Sequence, residues 1–139
     1  MFERREQRKS EPESLDDQLR LDRGRLAELR ALDPDGRARL LPRVLLAYQT
    51  SLDGHVEDWR RARRESAWKK VSEVAHALKS SSASVGALRL ARLCAEIESL
   101  LRQGDRERAA PLLDRFGVEA EQAGIAVRRE LAECTDIVP

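Results

Sequence analysis

The chain has 139 residues, 41% hydrophobic and only 4% aromatic, so one domain can bury a core built mainly from Leu, Ala and Val, a mixture that favours helix over sheet. Its 26 basic and 25 acidic residues leave a net charge of +1, which removes the basic excess of a general nucleic-acid binder. No apolar run approaches the roughly 20 residues that span a bilayer, the start Met-Phe-Glu-Arg-Arg-Glu is not a secretory signal, and Cys94 and Cys134 have no histidine cluster beside them, so a soluble cytoplasmic protein without structural metal or disulfide framework is expected.

Residues 1–14 are charged and nearly devoid of apolar side chains, which predicts a disordered tail; residues 15–139 then form the domain. Leu15, Leu19, Leu26, Leu29 and Leu32 predict one or two short amphipathic helices, stopped by the turn signal Asp33-Pro34-Asp35-Gly36. From about Arg37 to Arg64, Leu40, Leu41, Val44, Leu45, Tyr48, Leu52, Val56 and Trp59 recur at threes and fours, the spacing of a long core-facing helix with Pro42 in its first turns. Gly54 weakens the expectation that this helix is unbroken. A second helix from about Ala67 turns Trp68, Val71, Val74, Ala75, Leu78 and Ser82 inward and ends near Gly86, and a third from about Leu88 to Gln103 carries Leu90, Leu93, Cys94 and Ile97 and closes at Gly104. Cys94 at that spacing reads as a small core residue. The fourth helix starts after Asp105, a good N-cap, and Pro111 marks its first turn or a kink. Long helices joined by connections of a few residues are antiparallel neighbours, so the fold class is all-α: an up-and-down antiparallel four-helix bundle with short additional N-terminal helices.

On a helical wheel at about 100° per residue, Trp68, Val71, Ala75, Leu78, Ser82 and Val85 share one arc and His76 lies roughly 130° from its centre. The imidazole therefore faces solvent, on a stripe with Lys69 and Ser72 on one side and Lys79, Ser80 and Ala83 on the other. An exposed imidazole is largely neutral near pH 7 and can act as a nucleophile without a separate base. Lys79, one turn on, has the reach to offset the charge of an incoming phosphoryl group, and the short Ser80 and Ala83 leave room for a second protein. Most lone surface histidines do nothing of this kind, and the wheel alone does not decide the matter. His55, beside Gly54 in a polar stretch, is the ordinary case.

The segment Ala75-His76-Ala77-Leu78-Lys79-Ser80-Ser81-Ser82, followed by Val85-Gly86-Ala87 and then Leu90, Leu93-Cys94 and Ile97-Glu98, closely resembles the signature of histidine-containing phosphotransfer domains. The resemblance extends from about Leu26 to Leu131. It implies that His76 takes a phosphoryl group from the aspartate of one receiver domain, in a hybrid sensor kinase or a response regulator, and passes it to another. It further implies that Lys79 steadies the phosphate, that Ser81 lies near the site, that Gly86 turns the chain between the central helices and that Glu98 can contact the receiver; with the stripe residues, the expected partner-binding set is Ser72, Ser80, Ser81, Ala83, Gly86 and Glu98. The divalent ion, Mg, is expected on the receiver and no cofactor on this chain, with neither nucleic acid nor membrane as partner, and a monomer is expected. One departure is Ser80, where the family often has glycine; serine is still small, so access should be preserved.

Two other readings compete. The bundle could dock a receiver without transfer, with Ser80 or a misplaced Lys79 having weakened the chemistry. The run Arg60-Arg61-Ala62-Arg63-Arg64 with Lys69 and Lys70 could touch nucleic acid, but the near-zero net charge and the lack of interleaved aromatics favour a solvated helix end that complements the helix dipole and an acidic partner. No Gly-rich ATP-binding segment occurs, so autonomous kinase activity is not expected. Arginine makes up 22 of the 26 basic residues, which hints at a GC-rich bacterial source.

Overall fold

The structure, a computed structural model, describes residues 14–136. The segment read as a tail lies outside the described residues except for Ser14, whose side chain accepts from the Asp17 amide and caps α1 (Leu15–Gln18). Asp22 caps α2 (Arg23–Ala31) in the same way, through the Arg25 amide. The bundle follows as α3 (Leu40–Arg64), α4 (Trp68–Val85), α5 (Leu88–Arg102) and α6 (Arg106–Asp136). Among the described residues there is no strand, and no helix is long and apolar enough to cross a membrane.

Each bundle helix packs on its neighbours in a ring, α3 on α4, α4 on α5, α5 on α6 and α6 back on α3, which is the up-and-down arrangement its short turns demand. The three turns share one chemistry. Ser66, Gly86 and Gly104 adopt left-handed φ values of 52°, 88° and 74°, and the next amide in each case reaches back to a carbonyl of the last helical turn: Ala67 to Ala62, Ala87 to Ser82, Asp105 to Leu100. Gly86 has a second reason to be glycine, because a Cβ there would stand 2.7 Å from the Asp22 amide nitrogen. That amide donates to the Gly86 carbonyl at 2.9 Å and seats the N-terminal helices on the α4–α5 turn.

The start of α3 has no side-chain cap of its own. Asp33 supplies one from seven residues away, accepting from the Ala38 and Leu40 amides. The long helix expected here is continuous through Gly54, since packing of Leu41, Leu45, Tyr48, Leu52, Trp59 and Ala62 outweighs one exposed glycine. Pro111 sits in the second turn of a continuous α6, later than the first turn. Leu15 and Leu32, grouped above with the apolar face of the N-terminal helices, are exposed; Leu21 and Leu26 do the burying.

The core is aliphatic, with Trp59 stacked on Phe116 at 3.8 Å between ring centroids. Several of its buried polar groups are paired, whereas His55 Nδ1 and Gln122 Oε1 are buried without a hydrogen-bond partner among the described residues. Tyr48 Oη and Ser82 Oγ lie 2.7 Å apart, and burial pushes the Tyr48 phenol up to about 12. Cys94 is fully buried, which pushes its thiol up to about 12 and fits a core role. Glu130, 2% exposed, accepts from Arg23 at 2.8 Å and Arg30 at 2.9 Å and so ties α2 to α6.

Candidate functional site

α4 buries Val71, Val74, Ala75, Leu78, Ser82 and Val85 along one side, and this fixes its rotation about its own axis. His76 is thereby turned outward, with 61% of its side chain exposed. The α4–α5 turn then folds α5 back alongside, so residues equally far from Ala87 come level. His76 stands eleven residues before Ala87 and Glu98 eleven after it.

Their side chains meet. His76 Nδ1 lies 2.6 Å from Glu98 Oε2, and Lys79 Nζ donates to Glu98 Oε1 at 2.7 Å. Arg102, one turn beyond Glu98 on α5, brings a guanidinium nitrogen to 3.5 Å from the Oε2 that His76 uses. Glu98 itself is buried at 3% exposure. The Lys79 hydrogen bond holds its carboxyl below the ordinary value, helped by the His76 hydrogen bond and the Arg102 charge and opposed by burial. Glu98 is therefore ionised at neutral pH and can only accept, so the ring nitrogen facing it, Nδ1, is the one that carries hydrogen. In the neutral ring the lone pair is then on Nε2. The site presents an exposed imidazole held at Nδ1, with Lys79 and Arg102 at its edge.

Around it, Ser80 is exposed and Ser72 and Ala83 are half-buried, so the neighbours on these positions of the stripe are small. The family model of the Hpt domain matches residues 43–135. The chain belongs to the Hpt family. Membership makes it a histidine phosphotransfer protein of phosphorelays, whose members work with the receiver domains of kinases and regulators. The fold is similar to the crystal structure of histidine-containing phosphotransfer protein B (HptB) from Pseudomonas aeruginosa PAO1, with a TM-score of 0.70 at 25% identity over 81% of this chain and 95% of that one. No curated protein matches the chain.

Within this Hpt domain the structure rearranges several of the expected positions. Ser81 is turned away: five residues from His76 is about 140° round the helix, and its hydroxyl donates to the Ala77 carbonyl. Gly86 is the turn residue, but it is buried beneath Asp22, about 15 Å along the helix from His76, and offers no surface to a partner. Glu98, expected on the partner-facing surface, instead lies behind the imidazole as its hydrogen-bond acceptor. Lys79 is engaged with Glu98 rather than standing free over the ring. Sequence reasoning missed the His76–Glu98 pair and Arg102; the equal spacing about Ala87 and the four-residue step from Glu98 to Arg102 were the available signals.

Proposed function

We propose that His76 Nε2 accepts a phosphoryl group from the phosphoaspartate of one receiver domain and delivers it to the aspartate of another. The observation that carries this reading is the exposed ring whose Nδ1 is tethered to a buried, ionised Glu98. In the forward step the Nε2 lone pair forms the N–P bond while the bond from phosphorus to the aspartyl oxygen breaks, and the carboxylate leaves with the bonding pair. No proton has to move, because Nδ1 already holds its hydrogen and Nε2 holds none. The ring becomes cationic as the bond forms, and Glu98 stabilises that charge across the Nδ1–H bond.

Lys79 and Arg102 border the place where the phosphoryl oxygens arrive, and either side chain can exchange Glu98 for phosphate by rotating about its own bonds. The chain contributes a positioned nucleophile and nearby positive charge, and the receiver contributes its aspartate and the divalent ion expected there. We place this module in bacterial cytoplasm, acting as a monomer. The test is incubation with a radiolabelled phosphoreceiver: label should move to the chain in acid-labile, base-stable form and should be absent from His76→Gln. Equal labelling of His76→Gln would refute the assignment, and ATP alone should label neither protein.

A further inference from the structure

The five serines of α4 are not used alike. Ser81 and Ser84 donate to the carbonyls of Ala77 and Ser80, four residues back, and Ser82 pairs with Tyr48. The hydroxyls of Ser72 and Ser80, one turn to either side of His76, make no hydrogen bond among the described residues. Helical hydroxyls readily bond back to the preceding turn, so the two left uncommitted on this helix are the two beside the nucleophile.

Helix geometry separates these two. Four residues advance a helix by about 400°, which leaves Ser72 rotated about 40° from His76 to one side and Ser80 about 40° to the other. Lys79, rotated about 60° in the same sense as Ser72, reaches Glu98 on α5, so Ser72 is on the α5 side. In agreement, Ser72 is half-buried and Ser80 exposed. Ser72 stands fifteen residues before Ala87 and Arg102 fifteen after it, which brings the two level across the seam, as His76 and Glu98 are. Glu98 shows where the ring lies. Its Oε1 takes Lys79 from one end of the seam, whereas Oε2 takes His76 Nδ1 and lies 3.5 Å from Arg102 at the other. The imidazole is therefore on the Ser72 and Arg102 side of the carboxylate, in keeping with the N-terminal lean of helical side chains.

We propose that the Ser72 hydroxyl donates a hydrogen bond to the phosphoryl group carried on His76, with Arg102 beside it. This rests on the reading of His76 as the phosphate carrier and adds a residue to it. Charge decides the direction in which the group leans. Its oxygens only accept hydrogen bonds, and the α5 side of the ring offers them the donors Lys79, Arg102 and Ser72, with the Glu98 oxygens already taken. The other side carries Glu73, three residues before His76 and exposed without an ion-pair partner among the described residues, which repels a phosphoryl dianion. Lys69, also on that side, is seven residues from His76, about 10 Å along the axis. Lys79 and Arg102 must release Glu98 to reach the phosphoryl oxygens, whereas Ser72 has nothing to release. The contact makes and breaks no covalent bond. It is strongest while the oxygens carry their full charge and weakens as the N–P bond loosens, so it slows loss of the group.

His76 can be loaded without a partner protein, since its ring nitrogen takes the phosphoryl group of phosphoramidate and ammonia leaves. Phosphorus NMR at neutral pH then follows decay of the phosphohistidine resonance, identified by its absence from His76→Gln. Ser72→Ala should shorten the half-life about threefold and move the chemical shift, because a hydrogen bond to a charged acceptor is lost. Ser72→Thr keeps the hydroxyl and should keep the wild-type half-life. Ser80→Ala should have a smaller effect than Ser72→Ala, and Ser84→Ala none, its hydroxyl being committed to a carbonyl. Alanine is the better helix former, so a weakened helix does not explain a loss, and melting curves verify that each variant is folded. A wild-type half-life in Ser72→Ala, an effect as large in Ser80→Ala or Ser84→Ala, or a Ser72→Thr half-life as short as that of Ser72→Ala would overturn the proposal. So would slower transfer from a phosphoreceiver with an unchanged half-life, which would put Ser72 on the receiver-binding surface instead, or failure of phosphoramidate to load His76. Chemical loading involves no receiver. A chain that takes no phosphate from a phosphoreceiver therefore loses the transfer reading alone, and an unchanged half-life in Ser72→Ala leaves that reading standing.

Discussion

Replacing Glu98 with glutamine keeps the shape of the residue behind His76 and removes its charge. With the ring neutral, the Nδ1–H···Oε2 contact, 2.6 Å long, joins an uncharged donor to a carboxylate; in the proposed transfer the donor becomes cationic as the N–P bond forms. Hydrogen bonds involving charged groups contribute about 1.5–3 kcal/mol against about 1 kcal/mol for neutral ones, and only what strengthens on the way to the transition state accelerates transfer. With the ring itself 61% exposed, the lower end of that range applies, which leaves a difference of about 0.5 kcal/mol. That corresponds to about two- to threefold in rate. Glu98→Gln should therefore accept phosphate about two- to threefold more slowly in single-turnover rapid-quench measurements against excess phosphoreceiver. Nitrogen NMR of the imidazole provides the readout that a purely structural role would leave unmoved: wild type should show the Nδ1–H form predominating and the variant a mixture. An unchanged rate together with an unchanged tautomer ratio would refute the argument that Glu98 orients and stabilises the ring.

The same residue sets a pH dependence. A carboxyl held below its ordinary value in the fold contributes stability that is present above the unfolded value, about 4.3, and lost as pH falls through the folded value; urea unfolding between about pH 6 and about pH 3 should therefore show a steeper acid loss in wild type than in Glu98→Gln. Ser66→Gly should raise stability by about 1 kcal/mol, read as a rise in Tm, because Ser66 holds φ at 52° where its turn counterparts are glycines. The double substitution Arg23→Ala/Arg30→Ala should cost about 3 kcal/mol in chemical unfolding, since it leaves Glu130 buried and unpaired. Glu130→Gln should cost less, because the two arginines, about half exposed, can turn to water. Tyr48→Phe should cost about 1–2 kcal/mol by calorimetry, as it strips Ser82 Oγ of its buried partner.

The bundle was legible because its signals are local and repeated. The threes and fours of Leu41, Leu45, Tyr48 and Leu52, and Gly86 and Gly104 at two of the turns, each point to the same architecture. Ser66 was not legible, since nothing in its identity announces a left-handed turn. Neither was the cap that Asp33 extends to Leu40, which depends on how the intervening loop folds. The outward direction of His76 followed from the wheel, but what stands behind it did not, because a wheel describes one helix and Glu98 lies on the next. Gly54 weakened the reading of α3 without overturning it, because its local preference is outweighed by the contacts along that helix.

One flat carboxylate serves two masters, with Oε2 toward the ring and Oε1 toward the ammonium. In the proposed transfer, a Lys79 that turns to the phosphoryl oxygens would leave more of the shared negative charge to the imidazolium as that cation forms, with Arg102 still beside Oε2. Discharge would run the exchange backward. Loading and unloading would then be geared through a single planar part, which suits a carrier that must hold its cargo without making it costly to release.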